Sequence, residues 1–353
     1  MKSLIENIHL MMKEIGRPVR LMEVCGTHTV AIFRHGIRTV LPDGILLLSG
    51  PGCPVCVTSI EDIDKAVKIG GQPGVILTTF GDMMRVPGSR ENLQEARADG
   101  ADIRVLYSPM DALNIAGENP DRRVVFFATG FETTSPSVAA TLCEADRKGI
   151  FNFHIYPNHK LVPPALRALL DDERVKVDGF ILPGHVSTII GRAPYEFISR
   201  DYKKPSVIAG FEARDILETI AMLLAQLIKG EYRVEIQYVR AVRAEGNPRA
   251  TSLISTCFMP VDTQWRGIGT IAKSGLSLRE EFRHRDASKL FDITVESTPD
   301  IRGCACGDVL KGIKIPTDCP LYGKKCTPEN PVGACMVSTE GSCSAYYKYK
   351  SGT

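Results

Sequence analysis

The sequence contains eleven cysteines, although a chain of 353 residues can bury a full hydrophobic core without cross-links. Cys25 is followed three residues later by His28, and Cys53 and Cys56 form a C-x-x-C motif. The number of cysteines is odd, and the N-terminal residues do not resemble a secretory signal. We therefore predict a reduced, cytoplasmic protein whose cysteines bind metal or carry out redox chemistry.

The two N-terminal cysteine motifs are suited to related chemistry. Cys53 and Cys56 can close a disulfide or share a soft metal, and the helix predicted after them would lower a thiol pKa. Cys25 and His28 can form a thiolate–imidazolium pair or supply two iron ligands, again at a predicted helix start. Together, three sulfurs and His28 can hold a thiophilic, low-valent metal that keeps open positions.

Short apolar runs alternate with helix-like segments up to about residue 230, which predicts a mostly parallel sheet with helices on both faces. The predicted strands are residues 19–24, 44–48, 74–79, 103–107, 123–128, 153–156, 177–182 and 206–209. The predicted helices are residues 60–69, 90–98, 110–116, 137–148, 163–170, 194–201 and 213–228. Eight strands are many for one unit, so we predict two parallel-sheet α/β domains, 1–120 and 121–240, followed by a small cysteine-rich domain, 241–353.

Six of these strands end in glycine together with a chemically active residue, and ligands of open α/β sheets bind at the carboxyl ends of strands. We therefore predict one cleft that contains Cys25, Cys53 and Cys56 together with polar residues from the other strand ends. Glu132 is the strongest candidate among the latter, because small polar neighbours could orient its carboxylate. His185 is a candidate proton donor. The remaining candidates at strand ends are Asp82 and Glu212.

A second cysteine group lies in a tail rich in glycine and proline that is too poor in apolar residues to fold by burial alone. Its members are Cys304, Cys306, Cys319, Cys326, Cys335 and Cys343. In a reduced protein such a tail needs a metal, and the looser spacing favours a [4Fe–4S] cluster over zinc. Spacing alone does not choose four ligands among the six. Cys143 and Cys257 are predicted to be buried small hydrophobic residues.

Other function classes lack support in the sequence. The formal net charge of +2 offers no excess of basic residues for nucleic-acid binding. Neither the dinucleotide-binding nor the P-loop glycine pattern occurs, and no apolar run is long enough for a membrane span.

Several motifs resemble the hydrogenase maturation factor HypD family, in order and over nearly the whole chain. The N-terminal ones are residues 25–29 (CGTHT), 50–56 (GPGCPVC), 79–89 (TFGDMMRVPGS) and 130–134 (GFETT). The later ones are residues 183–187 (PGHVS), 319–323 (CPLYG), 336–338 (MVS) and 341–343 (GSC).

The resemblance implies an assembly scaffold for the Fe(CN)2CO unit of [NiFe] hydrogenases rather than a turnover enzyme. It implies that the protein acts together with the chaperone HypC and that the pair receives cyanide groups from HypE. It also implies two α/β domains around a cleft and a small domain with a [4Fe–4S] cluster, similar to ferredoxin:thioredoxin reductase. By motif, Cys25 is the expected iron-binding thiolate, and Cys53 and Cys56 are the expected redox pair. The expected cluster ligands are Cys304, Cys319, Cys326 and Cys343, with Cys306 and Cys335 as open alternatives.

The resemblance also suggests a hypothesis for electron transfer, from the cluster to the Cys53–Cys56 pair and then to chemistry at Cys25. A second interpretation is an iron–sulfur-dependent thiol–disulfide oxidoreductase that acts on a protein disulfide and needs neither Cys25 nor His28. A third is an α/β enzyme with a small-molecule substrate and a structural zinc in its tail.

Overall fold

Two parallel sheets contain all eight of the predicted strands. The structure, a computed structural model, describes residues 1–299 and 301–350. One sheet, called here the first sheet, has the strand order β2-β1-β7-β8-β9, and the second sheet has the order β4-β3-β5-β6. Every pairing within these two sheets is parallel, which confirms the α/β class.

The strands are β1 (Val19–Glu23), β2 (Ile45–Ser49), β3 (Val75–Phe80), β4 (Ile103–Leu106), β5 (Arg123–Gly130), β6 (Phe153–His159), β7 (Gly179–Pro183), β8 (Ser206–Ala209), β9 (Val234–Ile236), β10 (Phe258–Trp265) and β11 (Gly269–Leu278). The longer helices are α1 (Lys2–Ile15), α2 (Gly26–Arg34), α5 (Ile60–Gly70), α7 (Pro109–Glu118), α8 (Ser135–Lys148), α9 (Val162–Leu170), α12 (Ala213–Lys229), α13 (Pro248–Cys257) and α16 (Ser342–Lys350). The shorter ones are α3 (Ile37–Val40), α4 (Pro54–Val57), α6 (Leu93–Ala98), α10 (Gly184–Ile190), α11 (Glu196–Tyr202), α14 (Ala287–Leu290) and α15 (Cys306–Leu310). Turns of 3₁₀ helix cover Gly81–Arg85, Ala193–Tyr195, Glu280–Arg285, Pro316–Asp318 and Ala334–Met336.

The two sheets do not follow chain order. β1 pairs with β2 on one side and with β7 on the other, so strands from both ends of the α/β region form the first sheet. The second sheet consists of the intervening strands β3 to β6, on both sides of residue 120. The domain boundaries near residues 120 and 240 stay a prediction.

Alternating side chains on the strands contact different cores, as the period of two in a β-strand requires. On β5, Val124 and Phe126 face an outer core with α8, whereas Val125 and Phe127 face an inner core. On β1, Leu21 faces a second outer core with α1 and α12, and Met22 faces the same inner core. The inner core therefore joins the two sheets.

The sequence did not reveal a hairpin that follows the α/β region. β10 and β11 pair antiparallel, and their burial pattern is largely exposed on one side. Trp265, at the end of β10, is fully buried and donates its indole N–H to Ser274 Oγ at 2.8 Å.

The cysteine-rich tail packs on the α/β region. Ala334, Cys335 and Met336 are buried in the inner core, together with Cys53 and Cys56. Helix α16 packs on α2, where the rings of Tyr346 and Phe33 meet edge to face at 4.7 Å. The tail thus contributes buried surface of its own, although its short helices and turns leave most of its backbone irregular.

Candidate functional site

Cys25 and Cys53 follow neighbouring strands of the first sheet, and their loops are in direct backbone contact. The amide of Gly26 donates to the carbonyl of Gly52 at 3.1 Å. A Cβ atom on Gly52 would lie 2.3 Å from the Cys25 nitrogen, so no larger residue fits at this position. The parallel pairing of β1 with β2 therefore brings the Cys25 and C-x-x-C motifs together, as predicted from the strand ends.

Cys25 is the N-cap residue of α2 and is only 9% exposed. Burial, and to a lesser extent the nearby Glu340 carboxylate, raises the pKa of its thiol to about 11. The Thr27 hydroxyl and the amides of Thr27 and His28 act in the opposite direction. Our expectation that the helix start favours a thiolate at Cys25 was wrong, because desolvation outweighs the helix N-terminus.

His28 anchors helix α2 to the loop after β8 and is not an imidazolium partner of Cys25. Its ring is fully buried, and Nε2 lies 3.0 Å from the carbonyl oxygen of Gly210. Phe211 stacks on this ring at 4.6 Å, and the ring of His185 stacks on Phe211 at 3.9 Å. Burial lowers the pKa of His28 to about 4, so the ring is neutral at physiological pH. Burial also lowers the pKa of the more exposed His185.

Two carboxyl groups are buried near the strand ends. Glu132 Oε1 accepts the amide of Val162 at 3.0 Å, whereas Oε2 has no hydrogen-bond partner among the described residues. Glu23, at the end of β1, accepts the hydroxyls of Ser49 at 2.9 Å and Thr29 at 3.1 Å. Burial raises the pKa of both groups to about 7. Sequence reasoning found Glu132 but missed Glu23, whose position as the last residue of a buried strand could have revealed it.

The raised pKa of Glu132 predicts that the stability of the protein depends on pH. Glu132→Gln should remove this contribution to the pH dependence. The neutral carboxyl stabilises the fold fully below its unfolded pKa of 4.5, and this contribution is lost as pH rises through about 7. Glutamine keeps an acceptor for Val162 and cannot ionise. In denaturant unfolding, the stability of the variant relative to wild type should rise by about 3 kcal/mol between pH 4.5 and 8. The exposed Glu6→Gln is the control, and equal pH slopes for wild type and Glu132→Gln would refute the burial argument.

Asp82 and the tail segment Ser338–Gly341 are in contact near Cys25. The hydroxyl of Ser338 donates to Asp82 Oδ2 at 3.1 Å, and the hydroxyl of Thr27 donates to Glu340 Oε1 at 2.7 Å. A Cβ atom on Gly26 would lie 2.5 Å from the carbonyl oxygen of Glu340. The tail therefore covers the start of α2, and Asp82 is a docking residue for the tail. Sequence reasoning missed Glu340.

Removal of the Glu340 charge should make Cys25 more acidic. In Glu340→Gln the hydrogen bond from Thr27 can remain while the repulsion of a thiolate is lost. We expect Cys25 in metal-free protein to react with iodoacetamide roughly threefold faster or more, measured by mass spectrometry of its peptide. Glu329→Gln, a change at an exposed tail carboxylate, should leave the rate unchanged. An unaltered rate in Glu340→Gln would show that this carboxylate does not influence the thiol.

Thiols of the tail and of the C-x-x-C motif form one connected group. Cys56 interacts with Cys53 and with Cys335. Cys335 in turn interacts with Cys306 and Cys343. Cys306 also interacts with Cys304, which is half-buried. The C-x-x-C motif of the first sheet thus shares one buried core with thiols of the tail.

The tail thiols offer donors of the kind that an iron–sulfur cluster requires. Cys319 Sγ accepts the amide of Ala305 at 3.5 Å, and Cys326 Sγ accepts the amide of Val332 at 3.4 Å. Amide hydrogen bonds to sulfur are a common feature of such sites. In residues 1–299 and 301–350, no three His, Cys, Asp or Glu side chains are already arranged to hold a single metal ion. The clustered tail cysteines are therefore compatible with metal binding through thiolates.

Cys143 and Cys257 lie apart from this group, with their sulfurs 3.7 Å from each other between α8 and α13. Cys257 is fully buried and Cys143 is partly so.

Glu212, which follows β8, is the N-cap residue of α12. Its carboxylate lies 3.5 Å from the guanidinium of Arg240.

Comparison with known proteins identifies the family of this chain. A family model for HypD, described as the hydrogenase formation hypA family, matches residues 1–350. The chain belongs to the HypD family. The hydrogenase maturation factor HypD of Rhodobacter capsulatus is 46% identical over 357 residues, which cover 99% of this chain and 95% of that protein.

Two further HypD proteins are similar over most of their length. The hydrogenase maturation factor HypD of Azotobacter vinelandii is 48% identical over 340 residues, 94% of this chain and 90% of that protein. The one from Escherichia coli K12 is 46% identical over 335 residues, 95% of this chain and 90% of that protein. These matches confirm the resemblance to the HypD family and connect the chain with hydrogenase maturation. No helix within the described residues is long and apolar enough to cross a membrane.

Proposed function

We propose that this HypD-family chain is a scaffold on which, together with HypC, the Fe(CN)2CO unit of [NiFe] hydrogenase is assembled. The observation that supports this most is the position of Cys25. It follows the strand between β2 and β7, touches the C-x-x-C loop, and lies under the tail at Glu340. A soft thiolate at this point suits a low-spin iron that also binds cyanide and carbon monoxide.

Cys25 would bind the iron of the substrate unit as a thiolate. Because burial holds its pKa at about 11, the free thiol is protonated at physiological pH, so iron binding must release a proton. His28, neutral and bonded to Gly210, would hold the start of α2 in position rather than accept that proton. In this proposal Asp82 positions the tail, and Glu132 and His185 are polar groups of the cleft.

Cys304, Cys319, Cys326 and Cys343 would hold a [4Fe–4S] cluster, which supplies single electrons when bound. Cys306 and Cys335 then remain free for thiol chemistry beside the Cys53–Cys56 pair. The Cys335 thiolate would attack Cys56 of a Cys53–Cys56 disulfide and release Cys53 as a thiolate. Cys306 would then attack Cys335 and release Cys56, so that one disulfide is reduced as the other forms. The interactions of Cys56 with Cys335 and of Cys335 with Cys306 support this order.

HypC and HypE are the proposed partners, with HypC near the cleft at Cys25, and the proposed location is the cytoplasm. Infrared spectroscopy tests the scaffold directly. The chain purified without oxygen after co-expression with HypC should show bands of iron-bound cyanide and carbon monoxide. Absence of these bands from a complex that contains HypC would refute the scaffold.

A thiol–disulfide oxidoreductase that acts on a protein disulfide is the second candidate. The placement of Cys56, Cys335 and Cys306 in one buried core favours it, because thiol exchange among these three needs neither Cys25 nor His28. Such an enzyme would reduce a protein disulfide equally well after Cys25→Ala, and it would show no cyanide or carbon monoxide bands.

A further inference from the structure

A polar pocket with a volume of about 330 Å³ lies at the carboxyl end of β6, away from the cysteines. It is bounded by α5, by the β10–β11 hairpin and by α14. No cysteine lines it, so an inference about this pocket does not rest on the proposed function. The carboxyl end of a parallel strand is the usual place for a ligand, and the volume suits a small metabolite.

A buried ion pair stands beside the pocket: Asp62 lines it, whereas its partner Lys160 is not among the lining residues. Lys160 is 1% exposed, and its ammonium donates to Asp62 Oδ2 at 3.3 Å and to Thr263 Oγ1 at 3.0 Å. Asp62 also accepts the hydroxyl of Tyr156 at 3.0 Å and that of Ser59 at 2.7 Å. The Asp62 carboxylate is therefore well supplied with donors from the protein itself.

Two further side chains of the pocket have polar atoms without partners. His159 is 1% exposed, and neither of its ring nitrogens forms a hydrogen bond in the described chain. Asn158 is 5% exposed, and its Oδ1 is likewise unpartnered. Burial lowers the pKa of His159 to about 3, so the neutral ring offers one donor and one acceptor. Buried polar atoms of this kind need a partner that the protein itself does not provide.

The rim of the pocket has positive charge without a counter-ion. Lys65 and Lys289 line it, and neither lies within 4 Å of a carboxylate in the part of the chain that the structure describes. The nearby carboxylates are engaged elsewhere. Asp62 pairs with Lys160, and Asp286 Oδ1 accepts the amide of Ser288 at 2.9 Å and its hydroxyl at 2.6 Å.

We propose that this pocket binds a small carboxylate with a hydroxyl or amino group on the neighbouring carbon. The carboxylate would accept the N–H of the neutral His159 ring and attract the two rim lysines. The hydroxyl or amino group would donate to Asn158 Oδ1 or to the acceptor nitrogen of His159. The free donors and acceptors of the pocket are then matched by one ligand.

Isothermal titration calorimetry on the full chain tests the proposal with glycolate, L-serine, acetate and inorganic phosphate. Glycolate or serine should bind, and acetate and phosphate should bind more weakly because they lack the neighbouring donor. Lys65→Ala with Lys289→Ala should weaken binding roughly threefold to tenfold, since each exposed charge contributes modestly. Among residues 1–299 and 301–350 these lysines form no ion pair, so the double variant should fold normally. Lys13→Ala with Lys229→Ala, at exposed positions elsewhere, is the matched control.

The ring nitrogens of His159 provide a second readout by NMR. Their signals should shift on addition of the ligand that binds, in wild type and in the control double variant. The proposal is overturned if neither glycolate nor serine binds, or if the rim variant binds as tightly as the control. It is also overturned if acetate or phosphate binds as well as glycolate and serine, since charge alone would then explain the affinity.

Discussion

Cys25→Ala is expected to abolish the infrared bands of iron-bound cyanide and carbon monoxide in the complex with HypC. The scaffold proposal makes the Cys25 thiolate the bond between this chain and the iron of the substrate unit. Alanine removes the sulfur, and the backbone bond between Gly26 and Gly52 that holds the helix start does not depend on that side chain. We expect the band area per complex to fall below about a tenth of the wild-type value, since no other thiolate replaces the ligand at that position.

Cys143→Ala is the matched control for this experiment. Cys143 is a partly buried cysteine. It contacts Cys257 in the outer core of the second sheet, so its substitution should leave the bands unchanged. Binding of HypC is measured in the same samples, so that loss of the partner is distinguished from loss of the iron. Full-strength bands in Cys25→Ala with HypC bound would contradict the role of Cys25.

Substitutions of the tail cysteines are expected to fall into two classes, according to whether the protein loses or keeps its iron and sulfide. Protein purified without oxygen should contain about four iron and four acid-labile sulfide per chain. Cys319→Ser and Cys326→Ser should lose both, because their sulfurs are proposed ligands that accept amide hydrogen bonds. Cys306→Ser and Cys335→Ser should keep both, because these residues are assigned to thiol exchange.

The same analysis also tests the whole idea of a cluster. About one zinc and no sulfide per wild-type chain would exclude a [4Fe–4S] site and leave the tail as a structural zinc module. Loss of iron and sulfide in Cys335→Ser, with retention in Cys319→Ser, would reverse the assignment of ligands. Cys143→Ala again provides a cysteine change that should leave the metal content unaltered.

Local sequence patterns were sufficient to locate eight of the nine strands that the described residues form in the two parallel sheets, and the short strand β9 was missed. Strands buried on both faces form short continuous apolar runs, and β5 and β8 are clear examples. The pairing of β1 with β7 was not predictable in this way, because partners 160 residues apart leave no local pattern. The hairpin β10–β11 was missed for a different reason. Its exposed positions mix charged, polar and apolar residues, so the periodicity is weak.

The site residues stay predictions, and the sequence did not indicate their electrostatics. Glycine together with Cys, His or Glu at strand ends was enough to indicate Cys25, Cys53 and Glu132. The pKa of Cys25 depends on burial by the rest of the fold and on Glu340, which lies 315 residues after Cys25 in the chain. His28 was misjudged because its partner is a backbone carbonyl, Gly210, which no side-chain motif reveals.

The strand order of the first sheet has a consequence for synthesis on the ribosome. β1 and β2 are made early, yet β1 pairs with β7 on its second edge and the tail covers Cys25 last. At about 5–20 residues per second, roughly ten seconds pass between completion of β2 and completion of β7. The second sheet is contiguous in the chain and can form during this interval, whereas β1 has an open, apolar edge. The cysteine translated first is therefore the last to acquire its surroundings, and under the proposed function a nascent chain could not yet bind iron there.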